Sequence, residues 1–474
     1  MKPYKIILFI TSIFTLLGVI GYLIPSTGFN IGKTNIEFPS PQKVMQGNIE
    51  YSDEELVDID QIFFGKEALL KLLKKELEKE IESKYKKVRR DILVHNLSLS
   101  YPNDSIEWIF SVFDALENAK KQKVRIIHYG DSQIESDRMS NWLRASLQKK
   151  FGGYGVGLIP AIQTIPAASI GQKCSTKLAR YTAYGSKNMH METRNYGPLG
   201  QTAKLNSSTT TFTFYNPNYK GTLENTKYFD RITILLDEIE SEINAILSIE
   251  DEETIEDAIV KNNSITFNLP DSTSKVSITI QGKALIHGFM LDGSNIGIQL
   301  DNAPMRGCSG TIFSSINTKS LEYYYKENNI ALIILQFGGN SVPFTKSNKA
   351  INTYCKQLAR QIDYFQNLSP LSKILFIGPS DMSTNIDGKM QTYPHLPKFI
   401  NALKTMCLSK NVAYWDLYAA MGGKNSMVEW VNTRPQLAGS DYIHFTNIGA
   451  DYASKMLWKD LMEGYKLYEM KNEK

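Results

Sequence analysis

Two runs in the C-terminal half, Ile330-Ala-Leu-Ile-Ile-Leu335 and Lys373-Ile-Leu-Phe-Ile377, are apolar at nearly every position. Side chains alternate across a strand, so an unbroken apolar run needs both of its faces buried. That condition is met inside a parallel sheet covered by helices, and it limits the chain to few architectures. A helix-like stretch follows each run, over 347–367 and 395–408, before another strand at Val412–Asp416 and a last helix over Thr446–Met462. The same order, strand then turn then helix, occurs earlier at Val124–Tyr129 and from about Ile134. The expected fold is α/β with a doubly wound parallel sheet.

Between these two α/β parts the pattern changes. Residues 165–295 carry short alternating segments: Thr209–Tyr215, Arg231–Leu236, Ser264–Leu269, Lys275–Ile280 and Ala284–Leu291. Asn, Asp, Gly and Ser separate them, which predicts an antiparallel sandwich or jelly roll inserted into the α/β domain. The expected organisation is a membrane segment at 1–25, a tether at 26–60, a helical lead-in at 61–120, the α/β domain at 121–164 and 296–465, and the inserted β domain at 165–295. A composition of 42% hydrophobic and 22% charged residues is enough to build such cores.

Lys2 and Lys5 precede an uncharged apolar stretch, Ile6–Ile24, closed by Pro25. Its length suits a helix crossing ~30 Å of hydrocarbon. The basic side predicts the N-terminus in the cytoplasm and the bulk of the chain outside, in a periplasm or at a cell surface. A cleaved signal peptide is the alternative, but no Ala-x-Ala-like site follows the run. A formal net charge of +4 over 474 residues gives no reason to expect nucleic acid as a partner. Cys174, Cys308, Cys355 and Cys407 lack metal-ligand spacing, so no metal and no cofactor is expected.

The residues that follow each α/β strand carry the candidate chemistry, because ligands bind beyond the C-terminal ends of such strands. Gly130-Asp-Ser132-Gln follows the first strand. Asp301-Asn-Ala-Pro-Met-Arg-Gly-Cys-Ser-Gly310 follows Ile296–Leu300. Gln336-Phe-Gly-Gly-Asn340 follows Ile330–Leu335, and Asp441-Tyr-Ile-His444 precedes the last helix. A serine hydroxyl is a poor nucleophile until a base activates it, and a histidine with a carboxylate three residues earlier supplies one.

These four blocks resemble those of the SGNH hydrolases, also called GDSL-type esterases, in the order of that family's name: Ser132, Gly310, Asn340 and His444. The resemblance covers about 120–160 and 300–465. It implies Ser132 as nucleophile, His444 as base and Asp441 as its partner, with Ser132 N–H, Gly310 N–H and the Asn340 amide as oxyanion donors. Gly307 is the alternative to Gly310. Gln133 stands where many members have leucine, and Gly-Gly-Asn-Ser replaces a common Asn-Asp; neither removes a catalytic group. His128 reads as a core or near-site histidine. Arg138 either faces the crevice or, as the first reading, takes a solvated helix position, and the loop at 152–157 reads as the rim of the site.

By the same resemblance the expected activity is an exported carbohydrate O-acetylesterase, with peptidoglycan as first substrate. Tyr181, Tyr184, Tyr196 and Tyr215 are candidates for stacking on sugars or for the β-domain core. An O-acyltransferase served by a membrane acyl-transfer partner is the second reading, and a catalytically silent glycan-binding protein the third.

Overall fold

The computed structural model describes residues 98–472 apart from 218–222, 250–251, 255–259 and 294–295, together with residues 12, 15, 19, 29–31, 34–36, 75 and 76. Met1–Lys86 and Lys87–Lys474 form separate units. In the first, Phe29–Ile31 pairs antiparallel with Thr34–Ile36. Most of the expected anchor, tether and first lead-in helix lies outside the described residues. Among the described residues no helix is long and apolar enough to cross a membrane.

The second unit is built on a six-stranded sheet. Its elements in chain order are β1 (Leu99–Ser100), α1 (Glu107–Glu117), β2 (Lys123–Gly130), α2 (Ser140–Phe151), β3 (Gly297–Pro304), α3 (Thr318–Glu327), β4 (Ile330–Gln336), α4 (Asn348–Leu368), β5 (Lys373–Ile377), α5 (Leu396–Ser409), β6 (Ala413–Trp415) and α6 (Asn447–Asn472). The strand order is β3-β2-β4-β5-β6-β1. All neighbours are parallel except β1, which pairs antiparallel with Tyr414 and Trp415. Pro304, Gly130, Gln336, Ile377 and Trp415 fall in one register row. The strands therefore end together, and the loops after them share one edge.

Burial on both faces explains the apolar runs. Val124 and Ile126 of β2 pack with α1, α2 and α6, whereas Ile127 and Tyr129 pack with α3, α4 and α5. The last helix runs to Asn472, ten residues beyond its expected end, because Leu461, Tyr465 and Tyr468 continue its buried face against Phe110 and Phe113.

Between α2 and β3 the chain forms two antiparallel sheets. One runs Ser264–Thr273, Phe229–Asp237, Leu285–Asp292, Gln201–Lys204, Ala179–Thr182, with Gly155–Ile159 also paired to Leu285–Asp292. The other runs Glu252–Thr254, Asn244–Ile249, Lys275–Gln281, Thr210–Tyr215, Gly171–Cys174. They share a core in which Phe212 and Phe214 meet Phe289, with ring centroids 4.9 and 4.8 Å apart.

Charged groups tie these sheets to β2 and β3. Arg125, fully buried in β2, contacts Asp292 and donates to Asp301 at 2.6 Å, while Lys123 reaches Asp292 at 3.1 Å. Asp301 also accepts the Leu158 N–H at 2.7 Å and the Tyr324 hydroxyl. Gly157 lies against this carboxylate with φ +81°, and a Cβ there would sit 2.6 Å from Asp301 Oδ1. The position requires glycine for both reasons. The Gly-rich loop at 152–157 thus feeds a buried strand, and Asp301 closes an internal ion network rather than opening a site loop.

Candidate active site

Ser132 is the second residue after β2, at the C-terminal edge of the parallel sheet. The expected helix does not start at 134. Ser132–Asp137 is an irregular 3-10 stretch, with φ +62° at Ser136, and α2 begins only at Ser140. Asp131 caps the stretch by accepting the Gln133 N–H at 3.0 Å. Ser132 occupies the first position of this stretch, where an N–H has no intrahelical acceptor.

Asp441 and His444 come from the loop before α6. Ser132 Oγ lies 2.8 Å from His444 Nε2, and His444 Nδ1 lies 2.7 Å from Asp441 Oδ2. The carboxylate fixes the imidazole proton on Nδ1, leaving Nε2 to accept from the serine. Asp441 Oδ1 also accepts the backbone N–H groups of Ile443 and His444, at 3.0 Å each. Partial burial pushes the Asp441 carboxyl up, but the His444 ring and these two N–H groups outweigh it and hold the carboxyl below its ordinary value.

Two residues with no assigned role hold this geometry. Gln133 Nε2 donates to Ile443 O at 2.6 Å, and its Oε1 accepts the Phe445 N–H at 3.2 Å. Arg138, expected on a solvated helix, lines the cleft instead. Its Nη1 donates to Phe445 O at 2.8 Å and its Nη2 donates to Ser132 O. Asp137 is buried and forms a two-pronged pair with Arg144, at 2.7 and 3.0 Å.

Asn340 is in the cleft wall, and its Nδ2 donates to Asp131 Oδ2 and to Cys308 O, both at 3.1 Å. Burial raises the Asp131 carboxyl to about 6, against the pull of Gln133 N–H, His444 and the Asn340 amide. The structure places Gly310 beside Phe337. Its N–H donates to Cys308 Sγ at 3.3 Å, its Cα faces Phe337, and it is absent from the cleft wall. Gly307 lines the cleft instead, with φ +73° and open space where a Cβ would stand. Gly307 sits in a turn closed by the Cys308 N–H on Met305 O at 2.9 Å.

The cleft holds about 560 Å3, and Ser132, His444, Asn340, Arg138, Arg306 and the four-fifths exposed Phe344 are among its walls. His128 is buried away from it, between Gln336 Oε1 at 3.0 Å and Ser140 Oγ at 2.9 Å, and burial lowers its pKa to about 4. His287 contacts Thr202 and Asp237 in the antiparallel region, and His190 is exposed there. Tyr196 is buried in the core, with its hydroxyl on Met191. Among the described residues no group of three His, Cys, Asp or Glu is placed to hold a metal. All four cysteines are free thiols.

The local sequence contained one signal for Gln133, an amide where the related motif has leucine. Local sequence left Arg138 between the crevice and a solvated helix face, because its acceptor at 445 lies 307 residues away.

A serine, a histidine and an aspartate hydrogen-bonded in series beyond the C-terminal edge of a parallel sheet form a serine-hydrolase type of site on a doubly wound fold. A comparison with solved structures bears on the fold. A solved structure described as a peptidoglycan O-acetylesterase in action superposes with a TM-score of 0.61 at 18% identity, over 77% of this chain and 98% of that one. The chain thus shares the fold of that structure. An acetyl xylan esterase, AlAXEase, matches 34% of this chain and 80% of its own at 16% identity and a TM-score of 0.25. Axe2, an acetylxylan esterase from Geobacillus stearothermophilus, matches 35% and 73% at 16% identity and a TM-score of 0.25. Superpositions that low add nothing to the argument. No protein-family model matches the sequence, and no curated protein matches it.

Proposed function

We propose that the protein is a serine esterase that removes O-acetyl groups from a polysaccharide outside the cytoplasm, with peptidoglycan as first substrate. The observation that carries the reading is the unbroken series Ser132 Oγ, His444 Nε2, His444 Nδ1, Asp441 Oδ2, with contacts of 2.8 and 2.7 Å. His444 takes the serine proton as Oγ attacks the ester carbonyl. The tetrahedral intermediate collapses to acetyl-Ser132, and His444 returns the proton to the leaving sugar hydroxyl. Water then attacks the acetyl-serine by the reverse proton path, releasing acetate.

Ser132 N–H and Asn340 Nδ2 are the oxyanion donors in this reading, and Gly307 N–H replaces Gly310 N–H. Asn340 must exchange its bond to Asp131 or to Cys308 O for the oxyanion as substrate enters. Phe344 gives the open cleft an apolar platform suited to the C–H face of a sugar. The acetylated-glycan substrate is further supported by the structural neighbour at TM-score 0.61, a peptidoglycan O-acetylesterase. The export and membrane attachment rest on Lys2, Lys5 and the Ile6–Ile24 run.

The test is hydrolysis of 4-nitrophenyl acetate, and acetate release from O-acetylated peptidoglycan, by the full chain in detergent beside Ser132→Ala. The reading expects turnover of both, lost in the variant with circular dichroism unchanged. Turnover that persists in Ser132→Ala, or absence of turnover in the native protein, sinks it.

A further inference from the structure

A second cavity of about 410 Å3 adjoins the catalytic cleft. Glu135 and Arg306 line both cavities, and Arg306 Nε donates to the Glu135 carboxylate at 2.9 and 3.0 Å. Their ion pair is the ridge between the two. The antiparallel region lines the rest: Ile159, Pro160, Ile162 and Ile165 supply apolar surface, and Arg180 and Tyr184 polar groups. The volume is within the ~300–1,000 Å3 typical of small-ligand sites.

The charges of this cavity do not cancel. Glu135 pairs with Arg306 and Asp137 with Arg144, whereas Arg180 has no carboxylate partner among the described residues. Its guanidinium is nevertheless held in place. Nε donates to Gln201 Oε1 at 2.8 Å, and Nη2 to the Tyr184 hydroxyl at 3.2 Å, leaving Nη1 unengaged. A second polar group is unmatched there: Ser169 Oγ, in a residue 1% exposed, has no partner among the described residues. A pre-oriented guanidinium with one surplus positive charge suits a single negative charge with planar oxygens, which is a carboxylate.

We propose that this cavity is a subsite for a carboxylate-bearing group of the same glycan chain whose acetyl ester lies at Ser132. The chain crosses the Glu135–Arg306 ridge, with its carboxylate on Arg180 and its apolar face on Ile162 and Ile165. This deepens the esterase reading and rests on it for the identity of the neighbouring group.

Arg180→Gln removes the charge, and Ala167→Trp fills the cavity. Both are compared with native protein on 4-nitrophenyl acetate, an acetylated neutral glucan oligosaccharide, and an O-acetylated muramyl glycan fragment carrying carboxylates. The expected result is a KM for the muramyl fragment that rises at least tenfold relative to the KM for the other two esters. Equal changes on all three, or none on the fragment, overturn the subsite.

A binding arm needs no turnover. Calorimetry measures the de-acetylated, carboxylate-bearing fragment on Ser132→Ala protein with and without Arg180→Gln. Loss of at least tenfold in affinity supports the subsite even if no ester is hydrolysed, in which case the esterase reading fails alone. Unchanged affinity overturns the subsite even if the esterase reading holds.

Discussion

The Gln133 side chain binds the main chain on both sides of His444, donating to Ile443 O at 2.6 Å and accepting from Phe445 N at 3.2 Å. The residue next to the nucleophile thereby fixes the position of the base. A leucine there would fill similar space and hold neither group.

Gln133→Leu is expected to lower kcat on 4-nitrophenyl acetate roughly tenfold, with KM little changed. It leaves one buried N–H and one carbonyl unpaired, each costing about 1–3 kcal/mol. A lower melting temperature with undiminished kcat would show that Gln133 only supports the fold. Recovery of kcat in Gln133→Glu, which keeps the acceptor for Phe445 N–H, would separate the two bonds.

Asp131 gives the molecule a pH signature. Its carboxyl is raised to about 6 by burial, so from about pH 4 to 6 the unfolded chain gives up a proton that the folded chain keeps. Stability from this group is therefore full below about pH 4 and is lost as pH rises through 6. The loss amounts to about 3 kcal/mol at most. Asp131→Asn keeps an acceptor for Gln133 N–H and should flatten that part of the stability profile. Chemical denaturation at pH 4, 5, 6 and 7 for both proteins measures it; parallel profiles would contradict the assignment.

Gly310 and Gly307 should respond differently to the same change. An added Cβ at Gly310 would sit 2.6 Å from the Phe337 ring at φ +76°, so Gly310→Ala is expected to destabilise by about 1–3 kcal/mol. Gly307→Ala meets open space, and its φ of +73° costs about 1 kcal/mol. If Gly307 N–H serves the oxyanion, that variant lowers kcat more than it lowers the melting temperature. Thermal melts and kcat on the pair decide which glycine belongs to the site.

Arg125 ties the parallel sheet to the antiparallel region through Asp292 and Asp301. Arg125→Met leaves both carboxylates buried without that cation, and losses of about 3–5 kcal/mol are usual for such breaks. The expected result is a lower denaturation midpoint; a midpoint within error of the native value would mean that these ion pairs add no net stability.

The strands of the parallel sheet were legible because burial on both faces writes an unbroken apolar run, as at Ile330–Gln336. Several strands of the antiparallel sheets were legible by alternation, as at Thr210–Tyr215 and Lys275–Gln281, whereas the inner strands Gln201–Lys204 and Asn244–Ile249 were not read from the sequence. The edge strands Gly171–Cys174 and Ala179–Thr182 were not, since each has four residues and mostly polar exposure. Ser132, Asp441 and His444 were legible as residue types after strands or before a helix, and the fold brings them into hydrogen-bonding distance. The choices between crevice and solvent for Arg138 and between Gly310 and Gly307 stayed open, because the first depends on a contact made far along the chain and the second on a turn geometry no residue type announces.

Asp441 is the most demanding test of the series. Its Oδ2 holds the Nδ1 proton of His444, while Oδ1 holds two backbone N–H groups and so the loop itself. In Asp441→Asn the amide oxygen retains the backbone contacts, and the amide nitrogen then faces Nδ1. That favours the tautomer with the proton on Nε2, where it opposes acceptance from Ser132. In serine proteases the same exchange costs about 10^4 in kcat. Asp441 has a side chain half exposed, so water can take part of its role, and a loss of roughly 10^2–10^3 is expected here. The measurement is kcat at pH 7 and again at pH 9 with the fold monitored by circular dichroism. A loss smaller than about threefold with the fold intact would mean that His444 keeps its tautomer without the carboxylate, and that another group serves as its partner.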